Sequence, residues 1–416
     1  MSSKLKTMSL QEDDLPTLVP KLRFPQFQNA ESWGPKELGE CLEYLQPTKF
    51  LVNSTAYDDK YETPVVTAGK TFILGYTNET EGVFDHPLPV IIFDDFTTAS
   101  QYVDFRFKAK SSAMKILLAK EGANIKFIYE SMQRIDYEVG AHGRHWISAY
   151  SKIRVAVPKP DEQKKIADCL NSVDDLIAVQ ARKVHALKTH KKGLMQLLFP
   201  REGETQPRLR FPEFQNAGEW EVRPFDKFVS KSFYGTSSST SPKGQYPVLR
   251  MGNMVDGGLD FKNLVYIDLD PDSFESFRLE DGDILLNRTN SPALVGKISL
   301  FRLKSECITA SYIVTYRLNK QRIDPSFCNF MLNTPLHQAK IKTLAKPSIS
   351  QANINPTTFR KELIVAVPTI LEQQRIADCL TSLDDLITAQ TQKLAAFKTQ
   401  KKGLTQQLFP APETAA

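Results

Sequence analysis

Apolar residues recur at alternating spacings of three and four along two stretches of the chain, residues 159–200 and 369–410. This spacing is typical of long helices that pack against each other along one seam. Four to five heptads, with polar interruptions at the same phase in both stretches, predict a coiled coil. The predicted coiled-coil interface comprises Leu170, Val173, Ile177, Gln180, Val184, Leu187, Leu380, Leu383, Ile387, Gln390, Leu394 and Phe397.

Charge sets the direction of the predicted helix pair. Each stretch is acidic in its first part and basic in its last part, which suits the dipole of its own helix. An antiparallel pair also sets acidic starts against basic ends, and it brings Gln180 and Gln390 near the midpoint, where a polar pair fixes register. About 36 residues at ~1.5 Å each give a rod of ~54 Å. The alternative is that each helix packs only on its own neighbouring module.

Two blocks of sequence occur twice. Residues 20–30 recur as residues 207–217, and in each copy a tryptophan follows three residues later. Residues 155–200 recur as residues 365–410, with 29 of 46 positions identical. The segments between the blocks, roughly 34–154 and 221–364, show no comparable identity. The repeat therefore predicts two different modules held in two nearly identical frames.

Short strand-like runs mix with helical stretches inside both modules. Strands are predicted at residues 63–67, 90–93, 247–251, 283–286 and 310–317, and helices at 112–121 and 326–343. We therefore expect an α+β protein with two globular domains, separated by two long antiparallel coiled-coil helices in a pseudo-two-fold internal repeat. The predicted boundaries are a disordered tail at 1–19, a first module at 20–158, a helix at 159–200, a connector at 201–220, a second module at 221–368, a helix at 369–410 and a tail at 411–416.

Composition is that of an ordinary globular protein, with 41% hydrophobic residues, 24% charged residues and a formal net charge of +5. This small basic surplus permits contact with a polyanion without requiring it. The five cysteines lie far apart with no Cys-x-x-Cys pair, which favours reduced thiols in the cytoplasm over disulfides or a zinc site. No apolar run approaches ~20 residues, and the N-terminal stretch has no apolar signal core, so we expect neither a membrane span nor export.

The repeated block carries a resemblance to a known family. Val-Ala-Val-Pro, Glu-Gln-x-x-Ile-Ala-Asp-Cys-Leu, Asp-Asp-Leu-Ile, Lys-Lys-Gly-Leu and Leu-Phe-Pro occur twice in the same order. Alternating with two variable regions, this block resembles the specificity subunit of type I restriction–modification enzymes over residues 20–410. The resemblance implies that each module is a target-recognition domain reading one half of a bipartite site in double-stranded DNA.

The resemblance also implies an assembly. The shared helices would set the spacer between the half-sites, since a ~54 Å rod spans roughly a dozen or more base pairs, and they would bind two modification (methyltransferase) subunits. Restriction (helicase-nuclease) subunits would join for cleavage. S-adenosylmethionine, ATP and magnesium would be used by those partners, with no cofactor in this chain.

Motifs that a catalytic subunit needs are missing from the sequence. An adenine methyltransferase holds its flipped base with an (Asn/Asp)-Pro-Pro-aromatic motif, whereas residues 355–357 read Asn-Pro-Thr and are interpreted as a turn. Residues 68–71 resemble the end of a phosphate-binding loop, but Pro64 stands where its first glycine belongs, so a hairpin turn is predicted. His142 and His145 lack a third ligand at zinc spacing. We therefore expect no catalytic residue and no metal site.

Reading a DNA sequence needs side chains that present hydrogen-bonding groups to base edges, with basic and hydroxylated neighbours on the phosphates. Two polar loops in each module carry such residues, and one loop of each module precedes its long helix at a corresponding place. Candidate DNA-contacting residues are Thr97, Thr98, Ser100, Gln101, His142, Arg144, His145, Lys152, Arg288, Thr289, Asn290, Lys346, Ser350, Gln351 and Asn353.

Two other hypotheses stay open on the sequence alone. One is a methyltransferase or nuclease that acts by itself, and it would require methyl transfer or cleavage by the purified chain. The other is a coiled-coil interaction scaffold with no role at DNA. Salt-dependent DNA binding by the complete complex separates this scaffold from the DNA-reading hypothesis, because phosphate contacts release counterions.

Overall fold

The computed structural model describes residues 18–69, 71–137, 145–302, 306–347 and 351–411. The chain divides into two compact units, the first comprising Met1–Gln180 with Lys393–Ala416 and the second comprising Ala181–Gln392. Each of the two long helices contributes one segment to each unit. Of the predicted tails, residues 1–17 and 412–416 lie outside the described residues.

The first unit combines short strands and short helices with the first part of one long helix, which continues into the second unit. Its elements in chain order are β1 (Gly34–Glu37), α1 (Leu38–Cys41), β2 (Leu42–Leu45), β3 (Thr63–Val66), β4 (Ile73–Thr77), β5 (Val90–Asp94), β6 (Ser100–Val103), β7 (Lys108–Ala109), β8 (Met114–Ala119), α2 (Ile125–Met132), α3 (His145–Ser148), β9 (Arg154–Val157) and α4 (Pro160–Leu198).

Two sheets form the module of the first unit. One is four-stranded and antiparallel in the order β2-β8-β5-β6, and the other has the order β4-β3-β7, with β3 and β7 parallel. In β5, Ile91 and Phe93 join the core under α2 and α4, while Val90 and Ile92 join the core shared with the three-stranded sheet. This follows from the alternation of side chains along a strand. Because the central strand is buried on both faces, its register is fixed, and so are the loops at its ends.

The second unit has more elements and ends in the second long helix, which continues into the first unit. Its elements are β10 (Glu221–Pro224), β11 (Val229–Tyr234), β12 (Tyr246–Leu249), β13 (Met254–Val255), β14 (Gly258–Leu259), β15 (Val265–Ile267), α5 (Pro271–Phe277), β16 (Ile284–Asn287), β17 (Thr289–Asn290), β18 (Ile298–Leu300), β19 (Ile308–Thr309), β20 (Ile313–Leu318), α6 (Pro325–Leu332), α7 (Pro335–Thr343), β21 (Ala345–Pro347), β22 (Ala352–Ile354), α8 (Pro356–Glu362), β23 (Ile364–Val367) and α9 (Ile370–Leu408).

Both modules have the same sheet topology although their sequences do not match. The order β11-β20-β16-β18 repeats the four-stranded antiparallel sheet of the first unit. The order β15-β12-β19 repeats the three-stranded sheet, again with one antiparallel and one parallel pairing. Core positions require apolar side chains of suitable volume rather than particular residues, so different sequences build the same sheets. The second module adds two further sheets, a three-stranded one in the order β17-β22-β21 and an antiparallel pair of β13 and β14.

The repeated blocks fold alike in the two units. β1 pairs with β9, and β10 pairs with β23, in antiparallel ladders at corresponding positions of the repeat. The guanidinium of Arg23 donates two hydrogen bonds of 2.7 Å to Glu162, and that of Arg210 donates two of 2.7 Å to Glu372. These almost completely buried, bidentate pairs attach each short repeated segment to the start of a long helix.

The two long helices run antiparallel within each unit. In the first unit, the early part of α4 meets the end of α9, and Asp174 lies 2.8 Å from Lys401. In the second unit, the end of α4 meets the start of α9, and Lys191 lies 2.6 Å from Asp384. Acidic starts therefore face basic ends, as the charge pattern predicts. Every residue of the predicted interface is buried or half-buried: Leu170, Val173, Ile177, Gln180, Val184, Leu187, Leu380, Leu383, Ile387, Gln390, Leu394 and Phe397.

Three local predictions were wrong. Residues 112–121 do not form a helix: they contain β8, because pairing with β2 and β5 overrides the helix propensity of this segment. The helix predicted at 326–343 is two helices, divided where Thr334 caps α7 and proline begins it. Asn355, interpreted as part of a turn, caps α8, and its side chain accepts hydrogen bonds from two backbone N–H groups.

Candidate nucleic-acid interface

The hairpin between β5 and β6 presents the first group of candidate residues. Asp94 builds its turn, because its Oδ1 accepts hydrogen bonds from the backbone N–H groups of Phe96 and Thr97 and from the Thr97 hydroxyl. Thr98 takes a positive φ of 58°, which closes the hairpin. Thr97 is exposed at the tip, and Phe96 beside it is 46% exposed. The threonine hydroxyl groups of this hairpin therefore lie on a short turn that is held by its own hydrogen bonds.

A buried aspartate joins this hairpin to the second group of candidates in the first unit. The carbonyl of Asp95 accepts a hydrogen bond from the N–H of His145 at 2.9 Å, and its carboxylate accepts one from the N–H of Trp146 at 2.9 Å. Lys115 lies 3.3 Å from the same carboxylate, and both side chains are almost completely buried. The hairpin and the segment that begins at His145 are therefore held side by side.

The candidates of this second group differ in exposure. His145 is buried, and its Nδ1 lies 3.3 Å from the hydroxyl of Tyr137, so its ring faces the interior. Lys152 is exposed. His142 and Arg144 lie outside the described residues, as does Ser350 of the second module.

In the second unit, the three-stranded sheet β17-β22-β21 collects most of the candidates. The register sets Lys346 and Thr289 on either side of Asn353, so the three side chains form a row across the sheet. The Thr289 hydroxyl donates a 2.6 Å hydrogen bond to Oδ1 of Asn353. Ala352 and Ile354 are buried on the opposite face, which anchors the row on the core. Gln351 is exposed immediately before β22.

Arg288 and Asn290 flank this row. The Arg288 guanidinium lies 5.4 Å from the ring centroid of Tyr234, and the Arg288 carbonyl accepts a hydrogen bond from Ile354. Stacking on an aromatic ring restricts the guanidinium to one orientation. Asn290 contacts Met251 through its side-chain nitrogen at 3.1 Å. The row and its flanks thus combine amide, hydroxyl, ammonium and guanidinium groups, which are those that read base edges and hold phosphates.

Sequence reasoning missed two residues that support these candidates. Tyr234 on β11 carries the Arg288 guanidinium. Gln133, which ends α2, donates a 2.8 Å hydrogen bond to the hydroxyl of Ser100. Both lie far from their partners along the chain, so only the sheet pairing and the packing of α2 bring them together. Neither was signalled by a local motif.

The thiol and carboxylate groups buried in the second unit serve its structure. Burial raises the pKa of Cys307 to about 12 and raises the pKa of Cys328 further, so both thiols stay protonated. Asp283 accepts two hydrogen bonds from Arg317, whose pKa is raised chiefly by that hydrogen bonding. Among the described residues, no group of three His, Cys, Asp or Glu side chains is arranged to hold a metal ion. Over the same residues, no helix combines the length and apolar character that crossing a membrane requires.

Comparison with known proteins agrees with this architecture. Residues 218–398 match the family model described as the type I restriction modification DNA specificity domain. The chain is 43% identical over 187 residues to the EcoR124I/EcoR124II specificity subunit of Escherichia coli, an alignment covering 42% of this chain and 46% of that protein. It is 29% identical over 194 residues to the putative MjaX specificity subunit of Methanocaldococcus jannaschii, covering 46% and 45%. The chain thus spans about half the length of these curated relatives.

Solved structures show the same fold over most of the chain. The S subunit of a type I restriction-modification system from M. genitalium superposes with a TM-score of 0.60 at 13% identity, covering 94% of this chain and 99% of that one. A structure described for complex assembly and conformational transition of the type I R-M system gives a TM-score of 0.51 at 15% identity, covering 91% and 98%.

The family match begins just before β10 and ends inside α9, so it takes in the second module together with most of its helix. Residues 218–398 therefore match the DNA specificity domain of the type I restriction–modification class. These relatives in sequence and neighbours in fold are described as type I specificity subunits, so the chain is similar to proteins of this class.

Proposed function

We propose that this chain is the DNA sequence-specificity subunit of a type I restriction–modification complex. Each module reads one half of a bipartite DNA site. The long helices set the spacer between the half-sites and dock the modification subunits. The matched family and relatives give no support to the alternatives of a stand-alone methyltransferase or nuclease and a scaffold without a role at DNA.

One observation carries this proposal: two modules that share a four-stranded and a three-stranded sheet, without comparable sequence identity, are joined to frames of nearly identical sequence and contacts. A duplicated frame supports two modules that perform the same kind of task. Divergent surfaces on a common fold then give each module its own target. Two half-sites of different sequence require this combination.

Within each module, candidate residues on the polar loops and strands described above contact DNA. In the first module these are the hairpin residues Thr97, Thr98, Ser100 and Gln101 together with Lys152, and in the second they are Arg288, Thr289, Asn290, Lys346, Gln351 and Asn353. Lysine and threonine side chains grip phosphates, while asparagine, glutamine and arginine present paired hydrogen-bonding groups to bases.

Chemistry belongs to the partners in this proposal. Two methyltransferase subunits supply S-adenosylmethionine chemistry, and helicase-nuclease subunits use ATP and magnesium for cleavage, while this chain binds no cofactor and acts on no bond. Its five free cysteines and its DNA target favour the cytoplasm.

Single-molecule methylome sequencing tests the proposal directly. Cells that carry this gene beside its partner genes should methylate a bipartite motif with a fixed spacer, and deletion of the gene should abolish methylation at every copy of that motif. A motif that persists after deletion, or one without a spacer, contradicts the proposal.

A further inference from the structure

A second positively charged feature of the first unit lies beside the candidate hairpin and is not part of it. A cavity of about 500 Å³ opens between α2 and the end of α9. We call it the basic cleft. Its lining residues are Tyr129, Glu130, Gln133, Arg134, Lys398, Lys401, Lys402, Thr405 and Gln406.

Four basic side chains and one carboxylate, that of Glu130, line the basic cleft. The Glu130 carboxylate already forms ion pairs with two lysines. Glu130 lies 2.9 Å from Lys401 and 2.9 Å from Lys126. Lys401 is bound in addition by Asp174. Among the described residues, Arg134, Lys398 and Lys402 have no carboxylate within ion-pair distance. Three positive charges therefore face the cleft without an anion to balance them.

Arg134 is held in place as part of the protein's packing. Its Nη2 donates a 2.6 Å hydrogen bond to the carbonyl of Pro410, and its guanidinium lies 5.2 Å from the ring centroid of Phe409. Arg134 is half-buried, so its charge is partly removed from water, and this burial lowers its pKa. A preorganised, partly desolvated guanidinium binds an anion more strongly than a solvated surface lysine does.

The basic cleft is continuous with the candidate DNA-reading hairpin. Gln133 lines the cleft and also donates its 2.8 Å hydrogen bond to Ser100, the first residue of β6. Tyr129 of the cleft packs against Tyr102 of the same strand, with ring centroids 5.7 Å apart. Any ligand that runs along the edge of the hairpin therefore passes the cleft.

Among the described residues of the second unit, the corresponding cavity is lined by Lys188, Lys191, Arg302 and Asp384, so two of the lysines are repeated but the other charges differ. Lys188, Lys191 and Lys192 stand at the positions of the cleft lysines in the long repeat. However, Phe330 on α6 and Thr334 just after α6 occupy the positions of Glu130 and Arg134 when the matching buried phenylalanines of α2 and α6 are aligned. The half-buried Arg134 of the first unit thus has no arginine at its counterpart position in the second unit.

The geometry points to the basic cleft as a binding site for phosphodiester groups of the DNA backbone, beside the half-site that the first module reads. This inference rests on the proposed function and extends it. Arg134 and Gln133 come from the module, whereas Lys398 and Lys402 come from the frame helix. The frame then grips DNA directly and does more than separate the modules. Phosphate contacts of this kind position a duplex without reading its sequence.

Salt-dependent DNA binding by the assembled complex with its methyltransferase subunits tests this site. The double variant Lys398→Gln/Lys402→Gln should lower the slope of log affinity against log salt by about 1.8, since each phosphate contact contributes about 0.9. The weakening should be the same for the complex's methylation site and for unrelated DNA. The arginine variant Lys398→Arg/Lys402→Arg should keep the slope of the original chain, which separates loss of charge from loss of folding or assembly.

The repeat supplies the matched control. Lys188→Gln/Lys192→Gln removes the same two charges at the same helical phase in the second unit and should change the slope by less than half as much. Equal slopes for the two glutamine variants would overturn the cleft as a site, because net charge alone would then explain both. An unchanged slope in Lys398→Gln/Lys402→Gln would also overturn the site. So would competition by millimolar inorganic phosphate, because a free anion would then be the ligand of the cleft. If the original complex has no preferred DNA sequence, the proposed function itself fails.

Discussion

Under the proposed function, we expect the side chain of Asn353 to read a base in the second module. Its Oδ1 accepts a 2.6 Å hydrogen bond from Thr289, and the amide N–H groups with the second lone pair of Oδ1 can still make a bidentate contact with a base edge. Its backbone is fixed between two buried neighbours of β22. The orientation of the Asn353 side chain is therefore held by its strand and by one hydroxyl.

Replacement of Asn353 by alanine should relax the preference at one base pair of one half-site, because a bidentate base contact gives about 1–3 kcal/mol of discrimination. Methylome sequencing of the variant checks this result. Thr343→Ala, at an exposed position of α7, is the control and should leave the motif intact. Loss of specificity at both half-sites would contradict the assignment.

His337 makes the second unit sensitive to acid. Burial, with a smaller effect of Lys340, lowers the pKa of His337 to about 4, and its Nδ1 lies 2.9 Å from the Thr334 hydroxyl. That hydroxyl also donates to the Met331 carbonyl, so the ring nitrogen is the donor between the two residues. The unfolded chain binds a proton at His337 near pH 6.5, whereas the folded chain does not.

Stability should therefore be full above pH ~6.5 and should fall by up to about 3 kcal/mol as the pH drops towards 4, because protons bind the unfolded state preferentially. Denaturant unfolding of the original chain and of His337→Gln measures the difference, and the glutamine variant should lack this loss. His185→Gln, at an exposed position of α4, should keep it. Parallel pH profiles for all three proteins would refute this role for His337.

The sequence does not reveal which charged residues are buried in the interior. Asp95 and Lys115 read locally as polar positions of a turn and of a helical segment. Only the pairing of β5 with β8 brings them to 3.3 Å in the core. The loops that contain Thr97 and Arg288 could be predicted as candidates, because their polar residues directly follow strand-like runs in the sequence. The sequence did not supply Tyr234 or Gln133, which act across long sequence separations.

At the scale of elements, a buried ion pair holds the start of each long helix. Glu372 has a side chain that is 1% exposed, and its partner Arg210 is 8% exposed. Glu372→Ala leaves that arginine buried without its carboxylate, which should lower the free energy of unfolding by about 3–5 kcal/mol. Denaturant titration of the complete chain measures this change.

The exposed pair of Glu213 and Arg375 is the matched control, because the two pairs join the same segment to the same helix. Glu213→Ala should change stability little, since exposed pairs contribute little. The repeat also predicts that Glu162→Ala resembles Glu372→Ala. A negligible effect of Glu372→Ala would show that these pairs do not anchor the helices.

Helix length should set the distance between half-sites. Four residues inserted into α4 or α9 add ~6 Å, which corresponds to roughly two base pairs. The methylated motif should keep both half-sites and gain a wider spacer. A motif with an altered half-site and an unchanged spacer would mean that helix length does not set the spacer length.

The long helices were predictable because their pattern is local and repeated: the heptad spacing and charge gradient gave both helices and their antiparallel direction. β8 was not predictable in this way. Its residues, Met114 to Ala119, favour helix individually, and strand formation depends on β2 and β5, which are distant in the sequence. Common sheet topology in the two modules was equally hidden, because cores conserve apolar volume rather than identity.

At the scale of the whole molecule, the proposed function requires that two modules sharing a fold read their half-sites independently. Each unit has its own hydrophobic cores, its own pair of repeated anchoring contacts and its own polar surface. We therefore expect a change confined to one module to leave the polar surface of the other module unaltered.

Exchange of residues 221–364 for the corresponding module of another family member, followed by single-molecule methylome sequencing, tests this independence most directly. We predict a new motif in which one half-site is replaced, while the other half-site and the spacer are retained. A motif in which both half-sites change together would contradict the account.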